Sequence, residues 1–490
     1  MIKVQHYLWY VQGFFKKYKA IIVVSIVIGV GMFIALPSLL TIVPFGKPTE
    51  YIGRVGVFPL SRLPRDIQEQ VSFGLTRVEA DGQVSPALAS SFGVEEDGKA
   101  YRFTLRPDVK WQDGQTVTPQ DVTYNFSDID VVRSPNDIVY RLQTQQNQTE
   151  QVKETFLPSS FPAVVTQPLF KQVRTRSLFG TKTIVYGMGA YTITDIVYKG
   201  PGIQEFTLDS PKNRKVYRFY PTEHDAIVAF KQGEIDRIDD IQDLEDIFDW
   251  PTLDKHLITK TDQYVGVFFN LGYQVGEDHP YGNKQLRQAL NLAIQKPQGT
   301  DRILSPIYKR SWAYVGNEDD LDHFEQDTKL AVETYLKANL FTPLAIELTT
   351  IPSYAKEAEL VKASWEQLGK LAKTQCQQEK ASENCDQIDI AVSIHISNIP
   401  DLSNYQVLLV GQQIPLDPDQ YSLWHSTQPT NFTHYKNART DKLLEDGRKS
   451  TNKEERKLLY QEFQTLLVKE SPVIFLEAIK TYTVERKGIL

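Results

Sequence analysis

Residues 411–448 combine side-chain types that bind small molecules. Six of them are the candidate ligand-binding residues: Gly411, Gln412, Gln413, Asp417, Tyr421 and Trp424. Glycine lets backbone groups approach a ligand closely because it has no Cβ atom. Glutamine amides donate and accept hydrogen bonds, which suits a peptide backbone, and Tyr and Trp provide apolar walls with one polar group each. The stretch therefore predicts the lining of a small-ligand site.

This stretch also has a structural interpretation. Tyr421 and Trp424 lie three residues apart and are equally suited to a hydrophobic core. Pro418 fixes a turn after the apolar run at 407–410, because proline locks φ and lacks a backbone donor. Both interpretations stay open for the two aromatic residues.

Motifs of catalysis and metal binding are missing from the sequence. There is no Walker loop, no Gly-x-Ser-x-Gly elbow, no His-Glu-x-x-His and no Cys-x-x-Cys. His425 and His434 are separated by a predicted loop, which gives no ordered metal geometry. Acidic runs such as 234–249 match no calcium loop and are typical of a solvated surface. We predict no enzymatic activity, no cofactor and no metal.

Composition limits the class of protein. A chain of 490 residues with 41% hydrophobic and 23% charged residues is globular and long enough for two or three domains. The net charge is −7, and the first 46 residues carry four lysines and no acid, which leaves −11 on the remainder. So acidic a surface argues against nucleic acid as a partner.

The N-terminus predicts a membrane anchor. Residues 20–43 carry no charge and, at about 1.5 Å per residue, are long enough for one transmembrane helix. Lys16, Lys17 and Lys19 precede them, so residues 1–19 are predicted to be cytoplasmic and the bulk of the chain extracytoplasmic. The alternative is a signal sequence that is removed. Outside the cytoplasm, Cys376 and Cys385 are suited to a local disulfide, and two free thiols are the alternative.

Several elements follow from periodicity and capping signals. Thr118 and Pro119 predict a helix through Phe126. Residues 354–373 predict an amphipathic helix with an inward stripe, and the alternation at 388–394 predicts a central strand. Thr451 and Glu454 predict a capping box that begins the last long helix.

Longer motifs carry a resemblance. From Pro86 the chain reads P-A-L-A-S-S, then D-G-K-x-Y-x-F-x-L-R-x-x-V-K-W-x-D-G-x-x-V-T-x-x-D-V-x-Y-x-F, and residues 229–236 read A-x-x-x-G-E-I-D. With F-F-N at 268–270 and the D-P-D segment at 417–419, this resembles the family 5 extracellular solute-binding proteins. These are the oligopeptide, dipeptide and nickel receptors of ABC importers. The resemblance covers about residues 50–485 and places the 411–448 stretch near the ligand.

The resemblance implies a fold. We expect a two-lobed, type II periplasmic-binding-protein-like α/β fold with one N-terminal transmembrane helix. The first lobe is expected at 50–265 with an inserted subdomain at about 80–185, the second at 266–472, and a return to the first at 473–490. Hinges are expected near 263–275 and 470–478.

The resemblance also implies a function. We expect a membrane-anchored, extracellular substrate-binding protein that captures peptides between two closing lobes and delivers them to the permease of an ABC importer. Many such receptors carry an acid before the Asp-Pro step that pairs with the peptide amino terminus. Gln412 and Gln413 stand there in this chain, so recognition of a free amino terminus stays open. The alternatives are a receptor for a sugar or chelated metal, a signalling receptor on the same fold, and an extracellular hydrolase.

Overall fold

The computed structural model describes residues 17–20, 24–25, 47–143, 156–177, 180–242, 244, 250–276, 278–297 and 299–487. Within these ranges, no helix is both long and apolar enough to cross a membrane. The predicted transmembrane segment at 20–43 lies outside the described residues, except for residues 20, 24 and 25.

The described strands run along most of the chain. They are β1 Thr49–Val55, β2 Thr76–Val78, β3 Val84–Pro86, β4 Ala89–Glu95, β5 Ala100–Leu105, β6 Ile129–Arg133, β7 Asp137–Leu142, β8 Lys171–Ser177, β9 Gly180–Tyr186, β10 Thr192–Lys199, β11 Gly202–Asp209, β12 Arg214–Tyr220, β13 Arg237–Ile241, β14 Leu253–Phe269, β15 Leu344–Thr350, β16 Ile390–Ile396, β17 Val407–Gln413 and β18 Val473–Arg486.

The described α-helices pack around these strands. They are α1 Arg65–Val71, α2 Phe161–Val164, α3 Glu223–Gln232, α4 Lys284–Ala293, α5 Thr328–Lys337, α6 Ala355–Glu379, α7 Tyr421–Trp424, α8 Ala438–Lys449 and α9 Lys453–Glu470.

Ten of the strands form one mixed sheet in the order β10-β11-β12-β1-β13-β18-β14-β17-β15-β16. We call β10 to β13 with β1 the first sheet half, and β17, β15 and β16 the second sheet half. The crossing strands, β14 and β18, pair antiparallel between the halves, and their register shifts between Lys260 and Gly266. Because β1 pairs parallel with β12 and β15 pairs parallel with β16, the sheet combines parallel and antiparallel pairs.

The end of β14 shows how the sequence builds the second sheet half. Side chains alternate between the two faces of a strand, and here both faces are covered. Val265, Val267 and Phe269 pack into a hydrophobic cluster with α4, α5 and α6. Tyr264 and Phe268 pack into a second cluster with α8 and α9. The sheet is therefore buried between two helical layers.

A smaller sheet, β4-β5-β7-β6, stands apart from the ten-stranded sheet. Alternate residues of β5, such as Tyr101 and Phe103, pack with Trp111, Tyr140 and Phe161 in a separate core. This sheet falls within residues 80–185, where an inserted subdomain is predicted. The subdomain and lobe boundaries stay predictions.

Three sequence-based predictions need correction. The prediction of a helix from Thr118 to Phe126 is wrong. A 3₁₀ turn at Pro119–Asp121 is followed by extended backbone at Val122, which is fully buried. Tertiary packing thus overrides local propensity. The strand predicted as central is β16, which lies at the edge of the sheet. Alternation along a strand shows which face of the sheet each side chain occupies, but not how many strands flank it. The last long helix is capped by Asn452, one residue beyond Thr451.

The two cysteines resolve one open alternative. The amphipathic helix is confirmed as α6, and Cys376 lies in its last turn. A disulfide joins Cys376 to Cys385, and both residues are buried. The cross-link ties the end of α6 to the turn that leads into β16.

Replacing Cys376 and Cys385 by alanine is expected to lower the free energy of unfolding by about 2–3 kcal/mol, because the unfolded chain gains entropy without the cross-link. Urea unfolding followed by tryptophan fluorescence measures this. As a control, alkylation of the unreduced, denatured wild type should leave its mass unchanged. Labelling of both thiols without a reductant would contradict the disulfide.

Candidate functional site

The first three candidate residues lie at the end of β17, beside a crossing strand. Gln413, Gln412 and Gly411 pair with residues 263–265 of β14. A Cβ atom on Gly411 would lie 2.8 Å from Ile479 Cδ1 and 3.0 Å from Tyr354 Oη. The position therefore requires glycine unless these two side chains move.

Asp417 lies in the interior and is 8% exposed. Its Oδ1 atom accepts hydrogen bonds from Arg456 Nη2 at 2.8 Å and from the backbone N–H of Asp419 at 3.0 Å. Burial raises the pKa of the Asp417 carboxyl above its usual value, and the Arg456 guanidinium counteracts part of that rise. The structure thus gives Asp417 an intramolecular partner.

Tyr421 and Trp424 are the first and last residues of α7 and differ in exposure. Tyr421 is half-buried, and its ring lies between the His425 ring, with centroids 4.2 Å apart, and the Arg448 guanidinium, 4.2 Å from the ring centre. Trp424 is 3% exposed and belongs to the cluster that covers α8 and α9. Its burial favours the core interpretation, while the ligand-binding role of both residues stays a prediction.

A cavity of about 300 Å³ opens beside Gly411, where the register of the crossing strands shifts. Its lining combines the residue after β13, the start of α6 and part of β18. The polar residues that line it are Gln242, Ser353, Tyr354, Glu357, Glu477, Lys480 and Tyr482. Because these residues come from both sheet halves and from a crossing strand, the cavity lies between the halves.

Charges in this cavity are unevenly paired. Lys480 Nζ lies 2.7 Å from Glu477 Oε2 and 3.1 Å from Asp301 Oδ2. The hydrogen bond with Glu477 is the main reason that the pKa of Lys480 is raised. Glu357 Oε2 is buried and has no hydrogen-bond partner among the described residues. Burial, followed by the nearby Glu357 and Glu477 carboxylates, raises the pKa of Tyr354 to about 12, so its hydroxyl stays protonated at neutral pH.

None of the six predicted ligand-binding residues is among the residues that line this cavity, and their ligand-binding role stays a prediction. Gly411 lies against Tyr354 and Ile479, which line the cavity. Asp417 is paired with Arg456, and Trp424 is buried in a hydrophobic cluster.

Tyr354 and Glu357 were recognised only as the start of a helix. Both residues follow β15 directly, at the same sheet edge as the end of β17. This position is the signal that could have identified them as candidate site residues.

The side chains that line this cavity are suited to binding a ligand. Hydroxyl, amide, carboxylate and ammonium groups can hold a polar ligand. Among the described residues, no group of three or more His, Cys, Asp and Glu side chains is arranged to hold a metal ion. His425 contacts Thr427 and Glu445, and His434 is exposed.

Contacts away from the crossing strands also join residues before β14 to residues after it. The backbone N–H of Trp312 donates to the backbone carbonyl of Asp81 at 2.8 Å, and the backbone N–H of Ser159 donates to the backbone carbonyl of Arg448 at 2.7 Å. Ser160 Oγ donates to Asp419 Oδ2 at 2.6 Å. The residues around the small sheet therefore touch the 411–448 stretch.

Comparisons with known proteins agree with this fold. The model of the family described as "Bacterial extracellular solute-binding proteins, family 5 Middle" matches residues 83–434. The dipeptide-binding protein DppE of Bacillus subtilis is 21% identical over 91% of this chain and 88% of its own length. Alignments with three other curated relatives cover 9%, 20% and 41% of those proteins.

Solved structures match over most of their length. NikZ from Campylobacter jejuni in complex with Ni(L-His) has a TM-score of 0.63 and 21% identity, covering 90% of this chain and 95% of that one. The oligopeptide-binding protein AppA from Bacillus subtilis in complex with a nonapeptide has a TM-score of 0.61 and 16% identity, with the same coverage. These matches confirm the predicted mixed α/β fold of the type II periplasmic binding proteins.

Replacing Arg456 by methionine is expected to lower the free energy of unfolding by about 3–5 kcal/mol, because Asp417 would stay buried without its partner. Arg439→Met is the matched control, since Arg439 pairs with Glu462 at the surface and should cost at most about 1 kcal/mol. Urea unfolding measures both. Equal effects of the two substitutions would show that the Asp417 pair has no structural role.

Proposed function

Because the chain belongs to the bacterial extracellular solute-binding proteins of family 5, we propose that it binds a peptide between two lobes and delivers it to the permease of an ABC importer. Members of this family bind substrates and are not enzymes, and we extend this to the present chain. The observation that carries the proposal is the cavity between the sheet halves, next to the end of β17.

The proposal assigns one sheet half to each lobe. The first lobe would comprise 50–265 with the inserted subdomain at 80–185, the second 266–472, and residues 473–490 would return to the first. The register shift between Lys260 and Gly266 supports a hinge in the crossing strands. Such hinges are a few residues at element ends that absorb backbone rotation.

Closure of the lobes would bury the ligand. The hydrogen bonds of Asp81 with Trp312, Ser159 with Arg448 and Ser160 with Asp419 support a closed form, because each joins residues of the proposed first lobe to the second. A ligand shifts the population towards closure to the extent that it binds the closed form more tightly.

Peptide is the substrate class that the chain supports best. Curated relatives are named as oligopeptide- and dipeptide-binding proteins, and AppA holds a nonapeptide. The hydrogen-bonding groups beside Gly411 suit a peptide backbone, which offers one donor and one acceptor per residue. A nickel complex, as in NikZ, is a distinct outcome of the test below.

Placement outside the cytoplasm, with a membrane anchor, completes the proposal. Residues 20–43 are uncharged and follow three lysines, which supports an anchor with the bulk of the chain extracytoplasmic. The disulfide between Cys376 and Cys385 supports an oxidising location.

Native mass spectrometry of the full-length chain, purified in mild detergent without refolding, is expected to show a series of adducts with the masses of short peptides. Denatured extracts analysed by liquid chromatography should contain those peptides. An adduct of one non-peptide mass would contradict the peptide assignment. If the protein is empty, titration with a defined peptide pool replaces the extract, and absence of binding would also contradict it.

Gly411→Ala is expected to weaken peptide binding by about 10-fold, the equivalent of one lost hydrogen bond. The added Cβ would displace Tyr354 or Ile479, which both line the cavity. Gly93→Ala is the matched control, because nothing lies within 4 Å of a Cβ atom at that glycine. Isothermal titration calorimetry compares the two, and equal affinities would place the ligand elsewhere.

A further inference from the structure

A polar contact joins the turn before α2 to the segments around α7 and α8. Ser160 Oγ donates to Asp419 Oδ2 at 2.6 Å, and both side chains are largely buried. Ser159 donates twice, from its backbone N–H to the Arg448 carbonyl at 2.7 Å and from its Oγ to the Gly447 carbonyl at 3.1 Å. We call these three hydrogen bonds the serine contact.

A second contact lies at the turn of the β2–β3 hairpin. The backbone N–H of Trp312 donates to the backbone carbonyl of Asp81 at 2.8 Å. A Cβ atom on Gly82 would lie 2.9 Å from the carbonyl oxygen of Leu416, so the turn packs directly against the backbone of that residue. The hairpin turn and the serine contact therefore meet the chain on either side of Pro418.

The core of the small sheet lies near the buried Asp417–Arg456 pair. Burial raises the pKa of the Tyr101 hydroxyl to about 12, and the charges of Arg456 and Asp417 shift that pKa in opposite directions. Tyr101 belongs to the hydrophobic core around β5. Asp417 as well as Asp419 therefore lies beside this part of the chain.

No shared hydrophobic core supports these contacts. The cluster of the small sheet contains residues between 73 and 188, and the cluster that includes α8 and α9 contains residues between 264 and 478. Among the described residues, no hydrophobic cluster includes members of both. Water can replace hydrogen bonds when a polar contact parts, whereas parting a shared apolar core exposes it to water at a large cost in free energy. The contacts are therefore suited to open and close.

We propose that the Ser160–Asp419 hydrogen bond is a closure latch, which forms when the small sheet meets the second sheet half and slows the release of a bound peptide. This inference rests on the proposed function and adds how the site retains its ligand. Ser160 is a positioning residue, because it acts through the closed arrangement and does not line the cavity beside Gly411. A hydrogen bond to a carboxylate is stronger than a bond between neutral groups, so this bond contributes more to the closed form than either carbonyl bond of Ser159.

The latch acts on release and not on capture. A peptide enters while the small sheet and the second sheet half are apart, and the hydrogen bond is then absent. It leaves only after the contact has parted again, so the strength of the latch sets the closed population from which release is delayed. Loss of the bond should therefore raise the dissociation rate and leave the association rate nearly unchanged.

Ser160→Ala removes the hydroxyl, and Ser90→Ala is the matched control, because the Ser90 hydroxyl donates to the Thr104 carbonyl within the small sheet. Stopped-flow measurements use the full-length chain and the member of a defined pool of tri- to nonapeptides that the wild type binds most tightly. We expect Ser160→Ala to release this peptide about 10-fold faster, the equivalent of one charge-assisted hydrogen bond, with an association rate within about twofold of the wild type. Ser90→Ala should match the wild type in both rates. An unchanged dissociation rate in Ser160→Ala would overturn the latch.

Energy transfer between two dyes tests the latch without a peptide. Val94→Cys on β4 and Leu458→Cys on α9 accept the dyes, because both residues are exposed and the two native cysteines are joined in a disulfide. Single molecules of the ligand-free, labelled chain are expected to show a near and a far state. Ser160→Ala should lower the near-to-far ratio about 10-fold, and Ser90→Ala should leave it unchanged. A single distance in the labelled wild type, or a ratio that Ser160→Ala does not lower, would overturn the inference.

The two measurements keep the tests of function and of inference apart. If the wild type binds no peptide, the proposed function is contradicted, and the near-to-far ratio alone decides the inference. If peptides bind and the ratio does not respond to Ser160→Ala, the function stands and the latch is overturned. Thermal unfolding checks that each variant is folded. If Ser160→Ala does not fold, Ser159→Ala, which removes only the bond to the Gly447 carbonyl, should lower the ratio by a smaller factor, and an unchanged ratio there would overturn the latch.

Discussion

The antiparallel pairing of β14 with β18 joins the two halves of the ten-stranded sheet. Their register runs from Leu253 opposite Arg486 to Phe268 opposite Val473. One of these strands borders β13 and the other borders β17, so this single pair holds the two sheet halves edge to edge. The cavity lies where their register shifts, and its walls therefore depend on how the two halves are oriented.

The polar 411–448 stretch stabilises the structure and also borders the cavity. Asp417 is paired with Arg456, and Asp419 lies between Arg448 and Ser160. Buried charges require such partners, because desolvation without compensation is costly. Residue types that suit ligand binding are the same ones that suit internal ion pairs. Their presence near a site does not by itself assign them to a ligand.

The cavity next to this stretch has the character of a binding site. Its acids and its lysine are arranged as fixed charges, and Lys480 bridges two carboxylates. This agrees with a family whose members hold substrates.

The family motifs, the mixed α/β class and the amphipathic helix α6 could be predicted from the sequence, because these depend on local patterns and spacing. The same local patterns predict Gly411 as a ligand-binding residue. Tertiary contacts set the disulfide between Cys376 and Cys385, the edge position of β16, and the place of Glu357 in the wall of a cavity. Burial and pairing depend on partners far away in the chain, such as Arg456 for Asp417, and no local pattern specifies those contacts.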